Sequence, residues 1–306
     1  MILVIVLYVL FTAMIFMHSA IMVDNPHPFF VAGFRTIMGA AFLFSMHAFT
    51  GKSLSLRGIN KHQFIKLCLH GIILYTFSLS GFAAGMQYID GVTACFILST
   101  APFITAFILY IKDKETLSIK KSIGLLIGFL ALIPIILVQN ESEAMHHITA
   151  DQVHWGQLIF FGANVCYAYG WILAKDLLKV ASEFSPSLLN AYAMFIGGVC
   201  SSIVYISIYH AYIPPAVTHD FWYLLVIFTI ATIINYNLYA YLLRFYSATF
   251  LSFAGFLEPV FGLLLASILH HKEVTIPLYA ALALLSLGLY VFYQEELKVM
   301  MKNKSL

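Results

Sequence analysis

The second half of this chain repeats the first at a fixed register. The stretch from Gln87 to Glu115, with Leu98-Ser99-Thr100-Ala101-Pro102-Phe103 at its core, returns as Arg244 to Glu273, with Phe256-Leu257-Glu258-Pro259-Val260-Phe261 at its core. Pro102 and Pro259 lie 157 positions apart, while the pairs Pro28 and Pro186, and Glu115 and Glu273, each lie 158 apart. Self-similarity at one register marks a duplicated unit. A unit that crosses a membrane an odd number of times puts its second copy in the opposite orientation, the arrangement on which alternating-access transporters are built.

Composition supplies the membrane. A chain that is 61% hydrophobic and 10% charged, with a mean hydropathy of +0.91, has no polar face to present to water, so its solvent is lipid. The net charge of +2 forms no basic stripe, and no nucleic-acid partner is expected. Cys68, Cys95, Cys166 and Cys200 fall in apolar runs without metal-ligand spacing and read as core filler. Neither a metal site nor a cofactor is expected.

A span needs about 20 mostly apolar residues, and that ruler finds ten: 1–22, 28–50, 65–88, 91–111, 119–139, 154–174, 186–209, 220–243, 247–270 and 275–294. The expected fold is therefore all-α and membrane-integral, with ten transmembrane helices as two inverted five-helix repeats. Residues 1–140 form the first repeat, 141–153 an outer linker, 154–294 the second repeat and 295–306 a cytoplasmic tail. The first span lacks the basic flank and small-residue cleavage site of a signal peptide, and is read as retained. The connections at Asp90-Gly91 and Tyr246-Ser247 are so short that the spans they join must be antiparallel neighbours.

Basic residues orient the bundle. With both termini in the cytoplasm, the inner loops and tail hold Lys52, Arg57, Lys61, Lys66, Lys112, Lys114, Lys120, Lys121, Lys175, Lys179, Arg244, Lys298, Lys302 and Lys304, and the outer side holds only Lys272. The long outer connection around Glu141, Glu143 and Asp151 is acidic.

The small-residue start, the mid-span proline and the charged turn ending in Lys-Glu, together with Leu257-Glu258-Pro259-Val260-Phe261-Gly262-Leu263-Leu264-Leu265-Ala266, resemble the drug/metabolite transporter superfamily, specifically its EamA-type duplicated domains. Pro102, Glu115, Gly124 and Gly128 carry the likeness in the first copy, and Arg35 is an arginine such domains often have in the second helix. The resemblance spans nearly the whole chain. It implies a carrier of small organic metabolites in a bacterial inner (plasma) membrane, with a small-molecule substrate, the lipid bilayer as its surroundings, and either a single bundle or a homodimer as the working unit.

Polar groups inside the spans indicate where a solute would sit. A charged side chain at membrane depth costs about 2.5–3.5 kcal/mol on insertion scales, so each must be paired or face a cavity. Arg35 lies about 10 Å below the outer boundary and Glu258 about 16 Å deep, from the helical rise. Arg35 reads as a fork for an anionic group of the solute and Glu258 as a coupling carboxylate; the structural alternative pairs them with each other or with backbone freed by Pro259. Pro102 and Pro259 read as symmetric helix kinks at the repeat interface. Asn235 and Tyr239 share one face of the eighth span, and Asn164, Tyr167 and Trp171 form one stripe of the sixth. These residues would stack and hydrogen-bond a solute, or else hold helices together. His18 titrates in a range that allows a pH role, but its place near a span end favours packing.

No nucleophile with a base, paired-carboxylate motif or His-Glu-x-x-His set is present, which argues against an enzyme. A channel would repeat its polar ring by symmetry, whereas Arg35 corresponds to Ala193 and Glu258 to Ala101. Transport is the leading class, with a channel or membrane receptor as the alternative. Two mechanisms compete within it: a proton-coupled carrier of amino acids or related metabolites that uses Glu258, and an exchanger of a nucleotide-like, anionic or zwitterionic solute that depends on Arg35.

Overall fold

The structure, a computed structural model, describes residues 2–24, 27–56, 59–131, 149–180, 185–209, 219–270 and 276–304. The regular elements among them are helices: α1 (Ile2–Asp24), α2 (Pro28–Phe49), α3 (Lys61–His70), a π-helical stretch (Gly71–Ser78), α4 (Leu79–Gly85), α5 (Gly91–Leu98), α6 (Ala101–Asp113), α7 (Ile119–Leu130), α8 (Ala150–Val180), α9 (Pro186–Tyr209), α10 (His219–Leu242), α11 (Ala248–Ala254), α12 (Leu257–His270) and α13 (Ile276–Lys304). The outer acids Glu141 and Glu143, the end of the expected fifth span and the Lys272-Glu273 turn lie outside the described residues.

Local chemistry sets the starts of these helices. Pro28 and Pro186 are each the first residue of their helix, where a missing N–H removes no intrahelical bond. Asp90 caps α5 by accepting from the Thr93 amide at 2.7 Å, and Ser247 caps α11 by accepting from the Phe250 amide at 3.1 Å. Both caps end the short connections expected from the sequence.

Among the described residues, six helical stretches are long and apolar enough to cross a membrane: Pro28–Phe49, Lys61–Gly85, Thr93–Asp113, Asp151–Lys179, Pro186–Ile208 and Phe221–Leu242. Ile2–His18 and Ala248–Gly262 are shorter apolar helices. Large apolar side chains such as Phe42, Phe107, Trp155 and Ile203 point outward, as they must when the surroundings are lipid. At one end, Lys112 of α6 reaches Asp176 of α8 at 2.6 Å, and Lys66 of α3 approaches the same carboxylate at 3.9 Å. Beside them the Lys175 ammonium donates to the Leu243 carbonyl at 3.1 Å and to the Tyr246 carbonyl. Basic residues from three separate helices thus gather on one side.

Close packing relies on small residues where helices cross. α9 lies against α2 and against the π-helical stretch. There, a Cβ added to Gly197 would stand 2.4 Å from the Tyr75 Cβ and 2.5 Å from the Gly71 carbonyl oxygen. Gly162 of α8, by contrast, has nothing within 4 Å of such an atom. Gly197→Ala is therefore expected to force α9 and the π-helical stretch apart, at a cost of about 1–3 kcal/mol. Gly162→Ala should instead be neutral or stabilise by up to about 1 kcal/mol through helix propensity. Melting of the two purified variants in one detergent checks the contrast; equal melting points would refute it.

Candidate functional site

Two apolar stretches are broken, and each break precedes one of the repeated prolines. α5 stops at Leu98 and α6 resumes at Ala101; α11 stops at Ala254 and α12 resumes at Leu257. The bend expected at Pro102 and Pro259 thus takes the form of two half-helices, with each proline in the first turn of the second half. A proline there removes no bond that the helix would otherwise make. α5 packs on α12 while α6 packs on α11, so the broken stretches cross antiparallel. Phe103, just past the first break, meets Phe256, inside the second, with ring centroids 6.1 Å apart.

Side chains from neighbouring helices serve the backbone near these breaks. The Asn164 amide of α8 donates to the Ile97 carbonyl at 2.9 Å and to the Thr100 hydroxyl at 3.1 Å. The Tyr8 hydroxyl of α1 donates to the Leu251 carbonyl. Asn235 of α10 donates to the Leu7 carbonyl at 2.9 Å, tying α10 to α1. Asn164 and Asn235 thus each bond backbone of a neighbouring helix, while the oxygen of each amide has no partner among the described residues.

The two buried charges do not pair. No ion pair joins Arg35 and Glu258 among the described residues. Glu258, 4% exposed, stands in the first turn of α12, where the helix dipole favours negative charge. Its Oε1 lies beside Gly255 together with the Tyr8 ring, and its Oε2 has no hydrogen-bond partner among the described residues. Arg35, 2% exposed, lays its Cζ 4.0 Å from the centre of the Phe228 ring, and its Nε likewise has no partner there.

Between these groups lies an aromatic cluster. Trp171 stacks on Tyr239 with centroids 4.1 Å apart and meets Tyr167 and Tyr236 at 6.0 and 5.5 Å. The stripe on the sixth span and the face on the eighth are thus brought together. Tyr236, which the helical period sets on a different face from Tyr239, belongs to the cluster as well: its ring meets Tyr75, and Asn190 binds both the Tyr75 hydroxyl and the Tyr236 carbonyl at 2.9 Å.

A cavity of about 30 Å³ opens beside Arg35, lined by His18, Phe228, Tyr236, Phe11 and Phe82 among others. That volume holds roughly two waters. Of the substrate-binding and coupling residues expected from the sequence, Arg35 lines it, while Asn164, Tyr167, Trp171, Asn235, Tyr239 and Glu258 lie outside the lining. Tyr167 stays in ring contact with Phe11 and Phe82, and Trp171 with Tyr236, so the cavity and the cluster are contiguous. His18 is the wall residue that its place near a span end obscured. It shares the Phe228 ring and the cavity wall with Arg35, a juxtaposition with no mark in the local sequence.

Known proteins were compared with this chain. The model described as the EamA-like transporter family matches residues 1–137 and 154–294. The S-adenosylmethionine/S-adenosylhomocysteine transporter of Chlamydia trachomatis (serovar L2) is 30% identical over 282 residues, covering 89% of this chain and 82% of the relative. Its counterpart in Chlamydia muridarum is 29% identical over 280 residues, covering 90% and 86%. A solved crystal structure with 16% identity superposes with a TM-score of 0.69 over 95% of this chain and 97% of the other, and so shares the fold.

The bond from Asn164 to the first break is a direct target. Asn164→Ala would leave the Ile97 carbonyl without that donor in a lipid-surrounded interior, and the variant is expected to lose about 1–2 kcal/mol, read as a lowered melting point. Unchanged melting would show that the amide does not support the break.

Proposed function

The chain belongs to the EamA-like transporter family, within the drug/metabolite transporter superfamily, and from that premise we propose that it exchanges S-adenosyl amino acids across the membrane by alternating access. It is a membrane transporter of small metabolites and not an enzyme. The observation that carries the substrate reading is a buried arginine whose Nε has no hydrogen-bond partner among the described residues, beside a contiguous aromatic cluster, in a chain whose chlamydial relatives are S-adenosylmethionine/S-adenosylhomocysteine transporters. Such a solute offers a carboxylate for Arg35, a purine face for the rings of Tyr167, Trp171, Tyr236 and Tyr239, and a cationic ammonium or sulfonium for ring faces or the Glu258 carboxyl. Of the two mechanisms set out from the sequence, this chemistry favours the exchanger of a zwitterionic, nucleoside-bearing solute.

Ten spans in two inverted five-helix repeats are the architecture that this mechanism requires. Support comes from the family match to both halves, from the caps at Asp90 and Ser247, which lie 157 positions apart, and from the helix breaks that precede Pro102 and Pro259. The small volume beside Arg35 is a closed conformation of the site, because drug-sized ligands occupy pockets of roughly 300–1,000 Å³. Entry of a solute therefore requires α1, α2 or α10 to move apart.

Glu258 supports a second reading, proton-coupled accumulation, because its buried Oε2 has no partner among the described residues at the N-terminus of a half-helix. In vesicles, Glu258→Gln is expected to abolish gradient-driven accumulation and spare exchange; accumulation that persists unchanged removes the coupling role. Arg35→Lys is expected to raise the KM for exchange about tenfold or more through loss of the bidentate fork, and an unchanged KM takes Arg35 out of the site. Both termini are read as cytoplasmic in a bacterial inner membrane. A fluorescent protein fused to the C-terminus should accordingly glow and alkaline phosphatase at the same point should stay inactive, the opposite pattern reversing the topology.

A further inference from the structure

The cavity beside Arg35 has a second polar wall. His18 of α1 is 6% exposed, and its Nε2 has no partner among the described residues. Its ring lies against Phe228 at 5.0 Å, the same ring that carries the Arg35 guanidinium at 4.0 Å. One phenyl group therefore positions both nitrogen-bearing side chains at one cavity. Among the described residues the remaining wall is apolar apart from Tyr236, and no carboxylate lines it.

From this arrangement we infer that His18 and Arg35 form a clamp for a single carboxylate of the solute, and that the site selects a carboxylate over a phosphate. The inference rests on the S-adenosyl reading given above. A guanidinium presents two parallel N–H groups to the two oxygens of a carboxylate, and a neutral imidazole adds one further N–H. The charges then balance, one guanidinium against one carboxylate, in a wall with no other cation. A phosphate monoester, which carries up to two negative charges near neutral pH, would be balanced only if the buried His18 ring also took up a proton in an apolar cavity, a costly state. Nucleosides with an amino-acid tail fit this clamp, and nucleotides do not.

The test measures binding of S-adenosylhomocysteine, its decarboxylated analogue and adenosine monophosphate to the purified full-length protein in detergent. Wild type is compared with His18→Phe, His18→Gln and Arg35→Lys. Loss of the carboxyl is expected to weaken binding to wild type about tenfold or more, the scale of a hydrogen bond to a charged group, with adenosine monophosphate weaker still. His18→Phe should weaken S-adenosylhomocysteine severalfold and leave the decarboxylated analogue unchanged, which also shows that the variant is folded; His18→Gln, which keeps an N–H donor, should fall between the two. Equal binding of the acid and its decarboxylated analogue to wild type overturns the clamp and leaves the substrate reading intact. So does a His18→Phe variant that weakens both ligands alike, since that marks a packing role. If S-adenosylhomocysteine does not bind wild type at all, the substrate reading falls and the clamp falls with it.

Discussion

A backbone amide in hydrocarbon has no water to turn to, and the whole arrangement of this bundle follows from where it interrupts its helices. An unsatisfied backbone group at membrane depth costs several kcal/mol, so irregular backbone survives only against protein or a wet cavity. The breaks at Ser99-Thr100 and Gly255-Phe256 are both buried in protein. Their geometry dictates what must lie beside them: α12 and α11 cross α5 and α6, and α1 and α8 close the flanks with polar side chains aimed at carbonyls. At the 157-residue register Asn164 corresponds to Leu7, next to Tyr8. The two copies therefore meet the same problem with neighbouring positions and different chemistry.

That difference is functional material. Ala101 opens the half-helix after the first break and Glu258 occupies the matching place after the second, so the same dipole faces a methyl group in one copy and a carboxyl in the other. A duplicated scaffold lets one half keep a plain helix start while the other places a titratable group at the equivalent point. Arg35 and Ala193 divide in the same way. On the proposed reading, the shared features set how helices cross and the unshared ones furnish the groups that a solute or a proton would meet.

Much of this could be read from the residues alone, because proline and caps act locally. Pro102 and Pro259 announce an interruption through a missing N–H, and Asp90 and Ser247 announce helix starts through a side-chain acceptor, none of which depends on a distant neighbour. The faces of the sixth and eighth spans were equally legible from the helical period, and Trp171 and Tyr239 stack as a result. Membership of Tyr236 in the same cluster was not legible, since it depends on how α10 is rotated against Tyr75 and Trp171. The π-helical turn at Gly71–Ser78 leaves no mark in an apolar run; it is held by the bond from the Thr76 hydroxyl to the Gly197 carbonyl at 2.9 Å, a tertiary contact. His18 escaped for a similar reason: its meaning lies in Phe228 and Arg35, both far away in sequence.

On the proposed reading, the environment of Arg35 accounts for a site that can release what it binds. A ring face beneath a desolvated guanidinium contributes about 2 kcal/mol or more, which offsets a large part of the insertion cost of about 2.5–3.5 kcal/mol. An acidic residue in place of Phe228 would satisfy the arginine within the protein and leave no electrostatic demand for a solute. An apolar aliphatic residue would leave the charge so exposed to hydrocarbon that an anion, once bound, would be held against return. Phe228 lies between these extremes, its ring face stabilising the buried cation while the guanidinium Nε keeps no hydrogen-bond partner among the described residues. A carrier needs that intermediate state, because an anion must be favoured at the site when it enters and still be free to leave when the helices part on the other side.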